Sequence, residues 1–293
     1  MNTKNIVIGV LLLVIIGAIA YLAMNQGDTV VTVEPTTEEV PITPTESDDG
    51  IGDGAEPLPV VTERGSETVI GESVNGTDII AYHFGDGERE VLLIGGTHGG
   101  YSPNTTALAK EAIEFFNDNE VDIPAGVTLT IIPTLNPDGL TKTGAAGRFN
   151  ANEVDLNRNF DCDWSATAVW RDREVSGGSA AFSEPEAAAL RDYVETNDPQ
   201  AAIVLFSAEG KVYPSACDTT PSKASIQLAA NYATAAGYPA EAEFDAYAIT
   251  GDMVNWLAKQ SIPAISVLLS NHENTEWTKN KAGIMAVLES YEE

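Results

Sequence analysis

The chain has 293 residues, of which 43% are hydrophobic, and its 44 acidic against 15 basic residues give a formal net charge of −29. This length and apolar content exclude a wholly disordered protein and allow one large domain with a substantial core. The acidity argues against binding to nucleic acid and against docking on anionic lipid through basic patches. Three histidines and two cysteines are too few for several zinc sites or a dense disulfide framework.

The first segment, residues 1–25, is predicted to be a membrane anchor. It contains an uncharged apolar run at 6–24, which as a helix would span about 28 Å, close to the thickness of a bilayer's hydrocarbon core. Lys4 precedes the run and the next basic residue is Arg64. Because basic residues favour the cytoplasmic side of a membrane helix, we predict a single-pass protein whose remainder is extracytoplasmic. A cleaved signal peptide is the alternative, and it would give a secreted domain.

Residues 26–60 are predicted to form a disordered acidic linker. The segment is rich in Thr, Pro, Glu, Asp and Gly, contains no Lys or Arg, and has no apolar period. Such a composition cannot bury enough apolar surface to fold. The folded domain is therefore expected to be residues 61–293.

Residues 61–293 alternate between strand and helix patterns after an initial hairpin. The segments 67–73 and 78–84 flank Asn75-Gly76, a strong hairpin signal. Further strands are predicted at 91–96, 127–133, 201–206 and 264–269, and helices at 104–119, 184–196, 222–236, 250–260 and 278–291. This order predicts an α/β fold with a mixed, mostly parallel sheet and helices on both faces, preceded by one transmembrane helix. The long irregular stretch 136–183 is expected to carry function.

Chemically distinctive residues follow the ends of the predicted strands. His98 comes shortly after the strand at 91–96, Ser207 and Glu209 follow the strand at 201–206, and His272 follows the strand at 264–269. In open α/β sheets, ligands bind beyond the carboxyl ends of the strands. These ends are therefore the expected location of a site.

Four motifs carry a resemblance to a known family: GGTHGG at 95–100, NPDG at 136–139, GRFNANEVDLNRNFD at 147–161 and GGSAAFSEPE at 177–186. Over residues 68–288 the chain resembles the zinc metallocarboxypeptidases of the carboxypeptidase A type. The resemblance implies that family's α/β fold, two His and one Glu ligands to zinc, and a Glu general base. It also implies Arg and Asn side chains that hold the substrate's terminal carboxylate, and a Tyr that closes over it.

Carried over residue by residue, the resemblance implies a damaged zinc site. His98 matches the first ligand, but Tyr101 and Ser102 stand where the Glu ligand is expected, with Ser102 taken as its replacement. Phe206 replaces the later His, and Leu268 replaces the general base. A catalytic zinc needs three protein ligands, and leucine cannot accept a proton. The chain is therefore expected to bind no cofactor and to be an inactive relative.

The carboxylate-binding part of the pattern is intact. Asn157 and Arg158 match the Asn-Arg pair, Arg148 matches the Arg that polarises the scissile carbonyl, and Tyr247 matches the closing Tyr. A guanidinium forms bidentate, charge-assisted bonds with a carboxylate. The expected function is non-catalytic binding of peptide or protein C-termini. Val254, matching the family's specificity pocket, hints at an apolar terminal side chain.

Two other functions stay open at this point. The chain could be an active zinc carboxypeptidase with displaced ligands such as Glu209 or His272, which would have to lie near His98. It could also be a structural surface domain without a ligand, in which Arg158 merely pairs with Asp155 or Asp161.

The two cysteines, Cys162 and Cys217, are predicted to form a disulfide. Both fall in loops at the same end of the predicted sheet, and an extracytoplasmic domain lies in an oxidising compartment. Two unrelated thiols are the alternative. A metal pair is disfavoured because no C-x-x-C spacing is present.

Overall fold

The structure is a computed structural model that describes residues 66–217 and 220–292. These residues belong to the compact unit Val61–Glu293. The predicted anchor at 1–25 and linker at 26–60 lie outside the described residues. Within the described ranges, no helix is both long and apolar enough to cross a membrane.

Seven strands form one mixed sheet in the order β1-β2-β4-β3-β7-β9-β8, and β5 and β6 form a separate hairpin. Strands β4, β3, β7 and β9 are parallel to one another, while β1, β2 and β8 run antiparallel to their neighbours. The strands are β1 Glu67–Glu72, β2 Asp78–Phe84, β3 Arg89–Ile94, β4 Val127–Ile132, β5 Thr167–Trp170, β6 Arg173–Ser176, β7 Ala201–Ser207, β8 Lys211–Pro214 and β9 Ala264–Leu269.

Helices cover both faces of the sheet. They are α1 Pro103–Asp118, α2 Pro137–Leu140, α3 Pro185–Asn197, α4 Lys223–Ala236, α5 Met253–Lys259 and α6 Trp277–Glu289. Side chains of α1, α4 and α6 pack in the core on one face, and those of α3 and α5 pack on the other. Short 3-10 turns at Gly99–Tyr101, Glu120–Asp122, Gly144–Arg148 and Leu156–Arg158 connect these elements.

The central strands are continuously apolar because each face of the sheet is covered. In β3, Val91 and Leu93 enter the core under α1, whereas Leu92 and Ile94 enter the core under α3 and α5. This alternation is the two-residue period of a strand. By the same parity, Phe206 at the end of β7 faces the side of α3 and α5. The parity therefore decides which strand-end residues can reach a site on that side.

Two glycines allow the loops at these strand ends to pack closely. A side chain at Gly100 would collide with the carbonyl oxygen of Lys142, and one at Gly251 would collide with the backbone of Arg158. Gly251 also has a φ of +64°, which disfavours other residues. These contacts bring the loops that carry His98, Arg148, Arg158 and Tyr247 to one edge of the sheet.

The predicted strands and helices are present, with boundaries that shift by a few residues. The predicted α/β fold with a mixed sheet and helices on both faces is confirmed, but the sheet is not mostly parallel, because three of its six strand pairs are parallel and three are antiparallel. The stretch 136–183 is less irregular than predicted, because it contains the β5–β6 hairpin, and β8 was also not predicted. Helix α5 begins three residues later than expected, since the Asp252 side chain accepts a bond from the backbone N–H of Asn255 and caps the helix there.

Candidate functional site

A cleft of about 340 Å³ opens beyond the carboxyl ends of the parallel strands. Most of the residues singled out from the sequence line it: His98, Arg148, Asn157, Arg158, Phe206, Tyr247 and Leu268. We call Arg148, Asn157 and Arg158 the arginine wall, and Phe206 and Leu268 the strand wall. The fold thus gathers residues that are up to 170 positions apart in the sequence.

Both ring nitrogens of His98 face other side chains. Arg148 Nη1 lies 3.2 Å from Nδ1, and Asp155 Oδ1 lies 3.4 Å from Nε2, within ion-pair range but without hydrogen-bond geometry. Burial and the Arg148 guanidinium lower the pKa of His98 to about 4, against the opposing effect of Asp155. His98 is therefore neutral at pH 7. Because a guanidinium can only donate, the ring proton is assigned to Nε2.

Arg148 is buried and held from three sides. Its Nε donates to Asp155 Oδ2 at 2.8 Å, and its Cζ lies 4.5 Å from the centroid of the Trp170 ring. Burial alone would raise the pKa of Asp155, but Arg148 and His98 outweigh it and hold that pKa far below its usual range. The ion pair consequently persists at all ordinary pH values, and Arg148 keeps one position.

Arg158 is 1% exposed, and three hydrogen bonds to backbone carbonyls fix its guanidinium. Nε and Nη2 each donate to the carbonyl oxygen of Val169 at 3.1 Å, and Nη1 donates to the carbonyl oxygen of Asn157 at 2.6 Å. A guanidinium has five N–H groups, so one remains on each terminal nitrogen. This arrangement leaves Arg158 able to donate two bonds to a ligand in the cleft.

Asn157 joins the arginine wall to the start of α5. Its Nδ2 donates to Asp252 Oδ2 at 2.7 Å, and its Oδ1 accepts from the backbone N–H of Met253 at 3.1 Å. Burial raises the pKa of Asp252. Asn157 therefore also has a structural role, which the resemblance did not indicate.

Tyr247 lies over the outer side of Arg158. Its ring centroid is 5.9 Å from Arg158 Cζ, and its ring packs edge-on against Phe244 at 5.0 Å. The loop that carries it is anchored at Gly251, whose N–H donates to the carbonyl oxygen of Cys162 at 2.7 Å. Tyr247 is thus positioned beside the Arg158 guanidinium in the same cleft.

Phe206 and Leu268 are neighbours in the parallel register of β7 and β9. The Phe206 ring packs against the His98 ring at a centroid distance of 5.4 Å. Both positions therefore present hydrocarbon to the cleft, next to the single imidazole of the site.

Ser102, expected at the position of the missing Glu ligand, does not line the cleft. It is buried, and its hydroxyl lies 3.3 Å from His272 Nδ1. Tyr101 lines the cleft instead, with its ring 6.5 Å from that of His98 and 4.6 Å from that of His272. The Gly99–Tyr101 turn decides which of these two side chains faces inward.

Two further residues matter that the sequence reading placed elsewhere or missed. Asp155 pairs with Arg148 rather than with Arg158, and Asp161 pairs with Lys259 at 2.9 Å. Trp170 lies at the tip of the unpredicted β5–β6 hairpin and covers Arg148. The spacing of Asp155 before Arg158 could have indicated a buried carboxylate, but no pattern in the sequence pointed to Trp170.

The predicted disulfide between Cys162 and Cys217 is confirmed, with a Cα–Cα distance of 5.8 Å. It joins the loop after the arginine wall to the loop after β8, and Cys162 itself lines the cleft. The covalent link therefore closes one end of the site.

In the described part of the chain, no group of three or more His, Cys, Asp or Glu side chains is arranged to hold a metal ion. His272 contacts Ser102 and Tyr101. Glu209 accepts a bond from the Tyr213 hydroxyl at 2.7 Å. These two residues thus have partners other than His98.

Comparison with known proteins gives a family and several relatives. A sequence model of the family described as zinc carboxypeptidase matches residues 63–286. A bacteriocin of Clostridium perfringens is 29% identical over 170 residues, covering 53% of this chain and 18% of the bacteriocin. The catalytic chain of human carboxypeptidase N is 34% identical over 118 residues, covering 31% of this chain and 25% of that protein. The chain spans a quarter or less of the length of these relatives.

Solved structures give the same fold. Murein-tripeptide amidase MpaA from Escherichia coli superposes with a TM-score of 0.58 at 19% identity, covering 76% of this chain and 91% of the amidase. Carboxypeptidase A from Helicoverpa armigera superposes with a TM-score of 0.63 at 20% identity, covering 78% of this chain and 69% of the enzyme. At such identities the likeness concerns the fold, whereas the family match extends over most of the sequence. The chain belongs to the zinc carboxypeptidase family.

Proposed function

We propose that this domain binds the C-terminal carboxylate of peptides or proteins in the cleft and does not hydrolyse them through zinc. One observation carries the proposal: two buried guanidiniums line a cleft whose strand wall has only hydrocarbon beside His98.

Buried cations are costly unless they are paired, so two in one cleft require compensation. Asp155 neutralises Arg148. The described contacts of the Arg158 guanidinium are backbone carbonyl oxygens and the Tyr247 ring. The Asp155 and Asp252 carboxylates interact with it electrostatically at longer range. A carboxylate that accepts from the two remaining N–H groups would supply the missing charge. Bidentate binding of this kind is the strongest hydrogen-bonding mode of arginine.

Zinc does not fit the donors around His98. Coordination needs a lone pair on an imidazole nitrogen, but Nδ1 faces Arg148 Nη1 and Nε2 is assigned the proton facing Asp155. Phe206 and Leu268 offer no ligand atom, and a catalytic zinc takes three protein ligands. The displaced-ligand alternative is not favoured either, because Glu209 and His272 are engaged by Tyr213 and Ser102.

The disulfide supports a location in an oxidising compartment, where such bonds persist. We infer an extracytoplasmic domain held at the membrane by residues 1–25, or secreted if that segment is removed. The partners we propose are peptide or protein C-termini, with the membrane contacted only through the N-terminal segment. A purely structural surface domain is the competing possibility, and it predicts no ligand at all.

The test uses one fluorescent peptide in two forms, with a free C-terminal carboxylate and with a C-terminal amide. Binding by anisotropy is expected only for the free acid. Arg158→Lys keeps the positive charge but loses the planar set of N–H donors, and it should weaken binding at least about tenfold. Arg191→Lys, a partly exposed residue of α3 that does not line the cleft, should not weaken it. Equal binding of acid and amide would refute carboxylate recognition. A zinc content of about one per chain after dialysis, together with release of the last residue, would refute the non-catalytic assignment.

A further inference from the structure

The sequence contains two short signals that carboxylate binding does not explain. They are the tripeptides Asn-Gly-Thr at 75–77 and Asn-Thr-Thr at 104–106, and no other Asn-x-Ser or Asn-x-Thr occurs in the chain. With any residue except proline in the middle, this pattern marks an asparagine that can carry an N-linked sugar in an extracytoplasmic protein. Because such a short pattern also arises by chance, the fold decides whether either asparagine is available.

Asn104, at the start of α1, is fully engaged inside the domain. It is 2% exposed. Its Nδ2 donates to the carbonyl oxygens of Asn271 at 2.7 Å and Asn274 at 3.1 Å, and its Oδ1 accepts from the Ser207 hydroxyl at 3.0 Å. A sugar on Nδ2 would replace at least one of these bonds and would have to occupy a packed interior. Packing therefore explains the asparagine of the signal at 104–106.

Asn75 has the opposite surroundings. It lies with Gly76 and Thr77 in the turn between β1 and β2, and all three residues are exposed. Its backbone N–H is bonded, whereas its side-chain amide forms no hydrogen bond within the described part of the chain. Gly76 has a φ of +77°, and the nearest atom to a side chain added there would be Glu72 Oε2 at 3.8 Å. The space beside the turn is therefore open.

Two buried carboxylates hold the backbone of this turn. Asp138 accepts from the Ser73 hydroxyl at 3.0 Å and from the Asn75 N–H at 3.1 Å, and Glu186 accepts from the Val74 N–H at 3.2 Å. Asp138 is 5% exposed and Glu186 is fully buried. The inner side of the turn is thus bound to the domain, and the exposed amide of Asn75 remains on the solvent side. A sugar can be attached to it without breaking any of these bonds.

We propose that Asn75 is an N-glycosylation site, which receives an oligosaccharide from a lipid-linked phosphate or pyrophosphate donor. In the transfer, Asn75 Nδ2 forms a bond to the anomeric carbon of the first sugar, the bond from that carbon to the donor's phosphate oxygen breaks, and the amide loses one proton. The inference rests on the proposed extracytoplasmic location, which the Cys162–Cys217 disulfide supports. It does not depend on what the cleft binds, because Asn75 does not line the cleft.

The experiment uses the full chain, purified from cells whose own extracytoplasmic proteins carry N-linked sugars, with one such protein as a positive control. Peptide masses are compared before and after an amidase that removes N-linked sugars and leaves aspartate. Sugar is expected on Asn75 and not on Asn104.

Two variants of the same residue test the signal itself. Thr77→Ser keeps the hydroxyl of the signal and should keep the sugar, whereas Thr77→Val has a similar size without the hydroxyl and should lose it. Thr106→Val is the matched control, since it removes the other signal at a buried hydroxyl that forms no hydrogen bond among the described residues. It should leave the sugar on Asn75 unchanged.

An unmodified Asn75 in a chain whose two cysteines are oxidised would overturn the inference and leave the extracytoplasmic location intact. Free thiols at Cys162 and Cys217 together with an unmodified Asn75 would mean that the location is wrong, and the inference fails with it. A sugar that survives Thr77→Val, or one on Asn104, would overturn the distinction between the two signals. Aspartate at position 75 before amidase treatment, without sugar, would mean deamidation of the exposed Asn-Gly turn and would also overturn the inference. Anisotropy with peptide acids tests carboxylate binding separately on the same preparation.

Discussion

The arginine wall and the strand wall of the cleft differ in what fixes their side chains. Arg148 has an ion pair, an aromatic ring and an imidazole around it, and Arg158 has three hydrogen bonds. Phe206 and Leu268 pack in the hydrophobic cluster under α3 and α5, and the Phe206 ring also contacts the ring of His98. Core packing alone explains apolar side chains at the end of a strand. Two buried guanidiniums at the edge of a cleft cost free energy, so they indicate where a ligand would act.

The two walls also differ in the free energy that the removal of a side chain would cost. Removing a ligand such as a histidine or glutamate from the strand wall leaves a drier, better packed surface. Removing Arg148 from the arginine wall would leave the buried Asp155 carboxylate without its counter-ion, which is far more costly. The chain's combination of an intact arginine wall and an apolar strand wall is therefore the physically stable one.

The largest effect is expected from introducing zinc-binding side chains into the cleft, one of them in the strand wall. Tyr101→Glu combined with Phe206→His would place three possible zinc donors around the cleft, counting His98. We expect zinc to displace Arg148 Nη1 from His98 Nδ1 and the zinc content to reach about one ion per chain, because three protein donors suffice for a catalytic-type site. Plasma emission spectrometry after dialysis measures it, and circular dichroism verifies folding. A folded double variant without zinc would show that the Arg148 contact on His98 excludes the metal.

The next largest effect is expected from removing Asp155, the counter-ion of Arg148 in the arginine wall. Asp155→Ala leaves Arg148 buried without a counter-ion and should lower the free energy of unfolding by about 4 kcal/mol. Urea denaturation measures this loss. The control is Asp192→Ala, because the Arg191–Asp192 pair is on the surface and should contribute less than about 1 kcal/mol. Similar losses in both variants would mean that the arginine wall is no better stabilised than an ordinary surface pair.

The third prediction concerns the stability that the disulfide contributes at the edge of the cleft. Cys162 and Cys217 are 55 residues apart in the sequence, and closing a loop of that length should stabilise the fold by about 4 kcal/mol. Thermal unfolding with and without reductant should reveal a loss of this size. A Cys162→Ala, Cys217→Ala double variant should start at the reduced value and not respond to reductant. If reductant shifts that variant too, the effect does not come from this bond.

The fold could be predicted in large part because its central strands and long helices have clear hydrophobic periods. The strand at 264–269 was predicted with the boundaries that β9 has. The β5–β6 hairpin was missed because its strands have four residues each and five of these eight residues are exposed. Strand β8 is also only four residues long. Segments this short carry too little periodicity to be predicted, and β8 in addition pairs with β9, which is distant in sequence.

The candidate site was predictable in its residue types but not in its contacts. The family resemblance identified Arg148, Arg158 and Tyr247, and all three line the cleft. It could not show that Asp155 pairs with Arg148, since the 3-10 turn at Leu156–Arg158 sets the direction of each side chain. The same holds for Tyr101 and Ser102, which exchange expected places at the end of the Gly99–Tyr101 turn.

The smallest expected effect concerns a carboxylate in the loop between β9 and α6. Glu276 accepts bonds from the Ser270 backbone N–H, the Tyr238 hydroxyl and the Lys279 ammonium group. Burial alone would raise its pKa, but these bonds outweigh burial and lower the pKa of Glu276 to about 2. Since the folded state binds the proton less readily than the unfolded chain, Glu276 stabilises the fold above its ordinary pKa. That contribution is lost as the pH falls from about 4.5 towards about 2.

Glu276→Gln therefore should cost about 1 kcal/mol at pH 7, a value that allows for the partial solvent screening of this carboxylate. The difference between variant and wild type should shrink as the pH falls and vanish near pH 2, which urea unfolding at several pH values would measure. Glu273→Gln, an exposed neighbour in the same loop, should leave the pH profile unchanged. A Glu276→Gln penalty that stays constant with pH would mean that packing, rather than charge, stabilises this loop. In that case charge pairing would govern stability only at the arginine wall, where the counter-ion is fully buried.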